Sequence, residues 1–141
     1  MQRKGSAIWK GDLKTGKDTV STESGVLSQT QYSFSTRFES GKGTNPEELI
    51  AAAHAGCFTM ALSAQLGNAG LTPEKLETTA TVTFDKLEAE WTVTNILLDV
   101  KGKVPKADQA AWDKATMAAK AGCPISRLFN TTINMQAKLE G

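Results

Sequence analysis

The pattern of apolar and polar positions changes character several times along the chain, and each change predicts an element. Short extended segments are expected at residues 6–10, 18–22 and 31–38, with Gly11-Asp12 and Gly16-Lys17 supplying the turn between the first two. Over 31–38 the alternation puts Tyr32, Phe34 and Phe38 on one face and Ser33, Ser35, Arg37 and Glu39 on the other. Alternation then stops. Asn45-Pro46-Glu47-Glu48 reads as a helix start, with Asn45 as N-cap, Pro46 in the first helical position and two acids near the positive end of the helix dipole. Glu48, three residues after Asn45, suits a capping box. The helix should run to Asn68 and end at Gly70.

From Leu49 to Leu62 this helix carries apolar or small residues on nearly every face. A helix of that kind is buried all round, and a chain of 141 residues has little material to surround one. A second copy would supply the cover, so a homodimer is expected. A long hairpin follows, over 76–84 and 90–103, with its turn at 86–89. In its second strand Trp91 and Val93 share one phase while Ile96, Leu98 and Val100 share the other, which predicts a bulge near Thr94-Asn95. A second helix is expected from Ala107 to Ala121, stopped by Gly122, and Cys123-Pro124-Ile125-Ser126 begins a further helical turn. The last strand places Ile133, Met135, Ala137 and Leu139 on one face. Strands, helix, hairpin, helix and strand make an α+β class, read as one domain over residues 1–141.

Composition narrows the function classes. Hydrophobic content of 40%, charged content of 22% and a net charge of +1 describe an ordinary folded chain without a basic stripe for nucleic acid or anionic lipid. No apolar run is read as approaching the roughly 18–20 residues of a membrane span, and Met1-Gln2-Arg3-Lys4-Gly5 is not followed by a signal-like apolar stretch. The cytoplasm is the expected compartment. Two distant cysteines do not form a secreted disulfide framework.

Candidate chemistry centres on those cysteines. Cys57 lies within the apolar helix, where a plain core cysteine is the simplest reading. Cys123 sits just before Pro124 as the N-cap of the next turn, where backbone N–H groups favour a thiolate, and local logic makes it the more reactive of the two. His54, the only histidine, lies three residues before Cys57. It is a satisfied helix histidine, a base for Cys57, or a zinc ligand with Cys57 and Cys123, although no short ligand spacing supports the metal. Arg37 and Glu47, taken alone, are a solvated arginine and a dipole-stabilising acid.

The run from Gly43 to Phe58 together with Ala121-Gly122-Cys123-Pro124-Ile125-Ser126 resembles the family of osmotically inducible protein C and organic hydroperoxide resistance proteins. Residues 19–27 and Arg37-Phe38-Glu39 resemble the first branch more than the second, and the likeness covers essentially the whole chain. The resemblance implies an intertwined homodimer whose β-sheets wrap long central helices. It implies reduction of organic hydroperoxides, and less readily hydrogen peroxide, with no cofactor. Cys57 matches the peroxidatic cysteine, Cys123 the resolving cysteine, Arg37 the activating arginine and Glu47 the acid that orients it; His54 matches no catalytic position. A dihydrolipoyl group on a lipoylated protein is the expected reductant. The family assignment of Cys57 overrides the local preference for Cys123, because an apposed guanidinium lowers a thiol's pKa and holds a leaving oxygen. Glu47 is expected to reach Arg37 across the subunit boundary, since ten residues of helix separate it from Cys57 by about 15 Å. The competing readings are a lipid-like ligand-binding module of the same fold and the zinc site.

Overall fold

In the computed structural model, which describes residues 1–141, the turn glycines act where the sequence places them. Gly11, at φ 101°, opens the connection between β1 (Gly5–Lys10) and β2 (Lys17–Thr22), which pair antiparallel. β3 (Thr30–Ser33) adds to the other edge of β2, giving a sheet of order β1-β2-β3.

The third extended segment is shorter than its alternation suggests. At Ser33 the backbone turns into a five-residue helix, α1 (Phe34–Phe38). Ser33 Oγ accepts from the Thr36 amide and Thr36 Oγ1 accepts from the Ser33 amide, a reciprocal cap that ends the strand. In a helix Phe34 and Phe38 also share a face, and their rings stand 4.8 Å apart. Arg37 therefore belongs to a helical turn and not to the polar side of a strand.

α2 spans Pro46–Asn68, with the expected bounds. Asn45 Oδ1 accepts from the Glu48 amide at 2.8 Å, while the Glu48 carboxylate takes the Thr44 hydroxyl instead of completing a capping box. Gly70, at φ 73°, lets the Leu71 amide return to the Leu66 carbonyl. By length and composition α2 is long and apolar enough to cross a membrane, contrary to the reading that no run approaches that size. Alanines between its larger residues carry much of that apolar character. Only 22% of its most apolar stretch is buried within the chain: His54, Phe58, Leu62 and Leu66, one row at four-residue spacing, are enclosed.

β4 (Lys75–Leu87) and β5 (Glu90–Lys103) form the long hairpin, closed by Glu88-Ala89 with Glu88 at φ 52°. Thr83 pairs with Asn95 and Phe84 with Val93, so Thr94 is the extra residue of the expected bulge. The bulge is what allows Ile96, Leu98 and Val100 to face the core after Trp91 and Val93 have faced elsewhere. α3 (Gln109–Gly122) starts two residues later than its apolar pattern indicates, because Asp108 caps it by accepting from the Ala111 amide at 2.7 Å. α4 (Pro124–Leu128) follows Cys123 directly. β6 (Thr132–Glu140) then pairs parallel to β5, giving a second sheet of order β4-β5-β6.

The architecture is α+β. It divides into two compact units, Met1–Leu49 and Ile50–Gly141, with the division inside the first turn of α2. The second unit owns the hydrophobic core, built from the α2 row Phe58, Leu62 and Leu66 against Leu98, Val100, Trp112 and Ala119. No apolar side chain of the first unit is buried; its enclosed side chains are Asp18, Ser33, Thr36 and Thr44.

One contact in the core makes a stability test. Trp112 is fully buried and its ring lies against the backbone of Gly102, so a methyl group there would run into the indole. Gly102→Ala should destabilise the fold by about 1–3 kcal/mol through overpacking. The change would be read as a lower urea midpoint with an unchanged slope. An unaltered midpoint would mean that the indole moves aside freely.

Candidate active site

α2 delivers Cys57 and the α3–α4 junction delivers Cys123 to one place in the second unit. The two cysteines are free thiols with sulfurs 3.0 Å apart. An approach of about 1 Å would reach the disulfide length of about 2.05 Å. Their exposures differ: Cys123 is fully enclosed by the core, whereas Cys57 is partly exposed.

The immediate surroundings treat the two sulfurs differently. Burial pushes the Cys57 thiol up, and the neighbouring Cys123 thiol adds to that; the Ile125 amide pulls the other way. Burial also acts to raise Cys123, but it is outweighed by the Cys57 thiol, the amide and hydroxyl of Ser126 and the Ile125 amide, so Cys123 lies below the usual thiol range. None of these α4 groups closes a strict capping hydrogen bond on the sulfur. They act as nearby dipoles pointed at it. The local preference for Cys123 as the first thiolate is therefore physically sound for these neighbours alone.

His54 is completely buried one helical turn before Cys57. Its Nε2 lies 2.7 Å from Ser126 Oγ, its ring edge meets Phe129 at 5.4 Å, and burial depresses its pKa, which keeps it neutral near pH 7. Its bonded nitrogen is thus engaged by Ser126 and not by Cys57, against the reading of a base for that thiol. No group of three His, Cys, Asp or Glu side chains stands close enough together to hold a metal, so His54, Cys57 and Cys123 do not converge as a zinc set.

Arg37 and Glu47 meet within the first unit of the same chain. Arg37 Nη2 and Nε donate to Glu47 Oε1 at 2.8 and 3.2 Å, and Nε reaches Oε2 at 3.3 Å. This corrects the expectation that Glu47 reaches Arg37 across a subunit boundary. The cause is local. α1 turns Arg37 toward the returning chain, the Thr44 amide bonds the Gln31 carbonyl at 2.9 Å, and Asn45 Nδ2 donates to the Thr36 carbonyl at 3.2 Å. Gly43, at φ 143°, permits that close return, since a side chain there would strike the Gln31 carbonyl and the Thr36 methyl. The hydrogen bond to Glu47 raises the Arg37 pKa, so the guanidinium remains charged, and it lies over the Phe38 ring at 5.3 Å. The side chains are 30% exposed for Arg37 and 13% for Glu47.

Sequence reasoning missed Ser126 as a partner. Its signal was the three-residue offset from Cys123 across Pro124, which in a helical turn brings its amide and hydroxyl back toward the capping residue. A cleft of about 570 Å³ is lined by residues such as Ala55, Gly56, Thr59 and Met60, without Cys57.

Two thiols in sulfur contact, a partly exposed one on α2 and an enclosed one at the α3–α4 junction, define a dithiol protein of α+β fold. The chain belongs to the OsmC-like protein family, whose family model matches residues 39–138. It is 52% identical over 140 residues to a peroxiredoxin OsmC of Escherichia coli, spanning 99% of this chain and 98% of that one. It is 27% identical to an uncharacterized protein, YmaD, of Bacillus subtilis, over 92% of this chain and 87% of the other. Among solved structures, the organic hydroperoxide resistance protein OhrB of Bacillus subtilis superposes with a TM-score of 0.71 at 22% identity, covering 97% of this chain and 98% of that one. An OsmC-like protein of unknown function from Vibrio cholerae gives 0.78 at 15% identity, covering 98% and 99%. At those identities the structures speak for the fold.

Proposed function

We propose that this protein is a cysteine-based peroxidase that reduces organic hydroperoxides to alcohols, with hydrogen peroxide a poorer substrate. The observation that carries the reading is the geometry of the thiols: the sulfur of the partly exposed residue Cys57 lies 3.0 Å from that of the fully enclosed Cys123. A hydroperoxide reaches Cys57 first, whatever the intrinsic preference of Cys123. The full-length likeness to a protein named peroxiredoxin OsmC supports the same activity.

In this scheme Cys57 thiolate attacks the distal peroxide oxygen. The O–O bond breaks, the alkoxide leaves and takes a proton as alcohol, and Cys57 becomes a sulfenic acid. Cys123 thiolate then attacks that sulfur, the S–S bond forms, and hydroxide leaves and is protonated to water. Two thiols are oxidised and one peroxide is reduced. A dithiol such as a dihydrolipoyl group on a lipoylated protein reopens the disulfide by exchange.

Cys57 needs help to ionise, because its own neighbours raise it. The charged Arg37, oriented by Glu47, is the group we assign to that task and to the leaving oxygen. Glu47 and Cys57 lie on one helix, ten residues and about 15 Å apart. In the proposed scheme the Arg37–Glu47 pair of one chain serves the Cys57 of a second. The homodimer this requires accounts for the uncovered apolar faces, Met60 at 78% exposure on α2 and Ile8 at 59% in the first sheet among them. On this reading the 141 residues act as one peroxidase domain completed by its partner subunit.

The direct test is one equivalent of cumene hydroperoxide added to reduced protein. Intact mass and peptide mapping should show both thiols of each chain converted into one Cys57–Cys123 disulfide. Unreacted thiols under excess hydroperoxide would overturn the assignment and leave a ligand-binding module of the same fold.

A further inference from the structure

Within the second unit, α4 and the residue on either side of it turn one row toward α2: Cys123, Ser126 and Phe129, at three-residue spacing. Each member meets α2. The Cys123 sulfur lies 3.0 Å from that of Cys57, and Ser126 Oγ lies 2.7 Å from His54 Nε2. The Phe129 ring stands edge-on to the imidazole, with centroids 5.4 Å apart. On α2 the two receiving residues, His54 and Cys57, are one turn apart. The sulfur contact and the His54–Ser126 bond therefore join the same two segments side by side.

α4 has little else to fix it. Five residues cannot hold a helix by themselves. Ser126 is its one enclosed side chain; Pro124, Arg127 and Leu128 are exposed and Ile125 is half-buried. An enclosed hydroxyl and an enclosed imidazole each cost stability unless bonded, and here they bond to each other where water does not compete. His54 Nδ1 has no partner, and a dry interior tolerates a bare lone pair more readily than an orphaned N–H. The ring proton therefore belongs on Nε2, which donates to Ser126 Oγ.

We propose that the His54–Ser126 hydrogen bond is a clip that holds the Cys123 segment against α2 in the reduced protein and so stabilises the Cys57–Cys123 disulfide against reduction by external dithiols. The proposal rests on the two-cysteine scheme above and makes His54 a positioning residue for it. Without the clip, closing the disulfide must also immobilise α4, and the effective concentration of one thiol at the other falls. By linkage, the closed disulfide tightens the clip in turn. Reopening is plain exchange: a dithiol gives two electrons and two protons, the Cys57–Cys123 S–S bond breaks, and the dithiol's own S–S bond forms. His54 and Ser126 exchange no proton or electron in it.

The test equilibrates the full chain with mixtures of reduced and oxidised dithiothreitol at pH 7, and reads the disulfide fraction by thiol alkylation and intact mass. Ser126→Ala should lower the equilibrium constant for disulfide formation about tenfold, which raises the reduction potential by about 30 mV. His54→Leu should do the same. The double variant should shift no further than either single one, since both remove the same bond. His54→Gln, whose side-chain amide can still donate to Ser126, should stay near the native value. Gly102→Ala, which strains the core without touching this bond, should stay there too. An unchanged equilibrium in folded Ser126→Ala would overturn the proposal. Additive shifts in the double variant, or a shift in Gly102→Ala as large as in Ser126→Ala, would also overturn it, because either assigns the effect to packing and not to the bond. Where His54→Leu fails to fold, Ser126→Ala set against His54→Gln decides the question. The equilibrium involves no peroxide. Failure of the peroxidase reading therefore appears as thiols that hydroperoxide leaves reduced, separately from any failure of the clip.

Discussion

Cys57→Ser should bring hydroperoxide reduction to background, whereas Cys123→Ser should still consume one equivalent and stop as a sulfenic acid that dimedone traps. The two substitutions are chemically identical, so any asymmetry reports on environment. Access favours Cys57, the partly exposed sulfur. Local electrostatics favours Cys123, which the Cys57 thiol and the start of α4 hold low while burial holds Cys57 high. Access wins in our reading because a fully enclosed thiolate cannot meet an alkyl hydroperoxide in line, however well it is ionised. Without Cys123, turnover with a dithiol reductant should slow and overoxidation to the sulfinic acid should accumulate, since no adjacent thiol captures the intermediate. If the Cys57→Ser protein instead reacts rapidly and gains a dimedone adduct at Cys123, the order of the two thiols is reversed and the electrostatic argument prevails.

The second large effect concerns the ion pair. Arg37→Met should slow the first step by about 10²–10³-fold, the usual consequence of removing one preorganised donor from a developing oxyanion. Glu47→Ala should cost less, because the guanidinium keeps its charge and loses only its three contacts of 2.8–3.3 Å with the carboxylate. The arrangement between subunits is then tested by mixing. A dimer of one Cys57→Ser subunit and one Glu47→Ala subunit carries both lesions at one site and neither at the other, provided the pair of one chain serves the cysteine of its partner. About half of the native activity should return, as a two-site symmetric dimer requires. No recovery in heterodimers verified by mass would rule out the shared site, and a monomeric mass in sedimentation of folded protein would remove its basis.

Much of this was legible in one dimension. The bounds of α2 follow from Asn45, Pro46 and Gly70, because caps act through the nearest backbone groups and need no distant partner. The bulge at Thr94 was readable as a phase change, since a period of two leaves no other way to turn both Val93 and Ile96 as the pattern demands. The pair Cys57 and Cys123 was named by motif, and the structure brings their sulfurs together.

Other features belonged to the tertiary structure. Alternation over 31–38 was compatible with a strand, and only the reciprocal cap of Ser33 and Thr36 converts its second half into the helix that turns Arg37 toward Glu47. Sequence spacing suggested that those two residues meet between subunits. They meet within one chain, because the loop around Gly43 closes by backbone bonds that no spacing rule contains. The engagement of His54 by Ser126, seventy-two positions away, was invisible for the same reason. Caps, turns and periodicity are properties of neighbouring residues and can be read along the chain. Exposure of a thiol, direction of a hydrogen bond and choice of an ionic partner depend on segments that meet only once the core has closed.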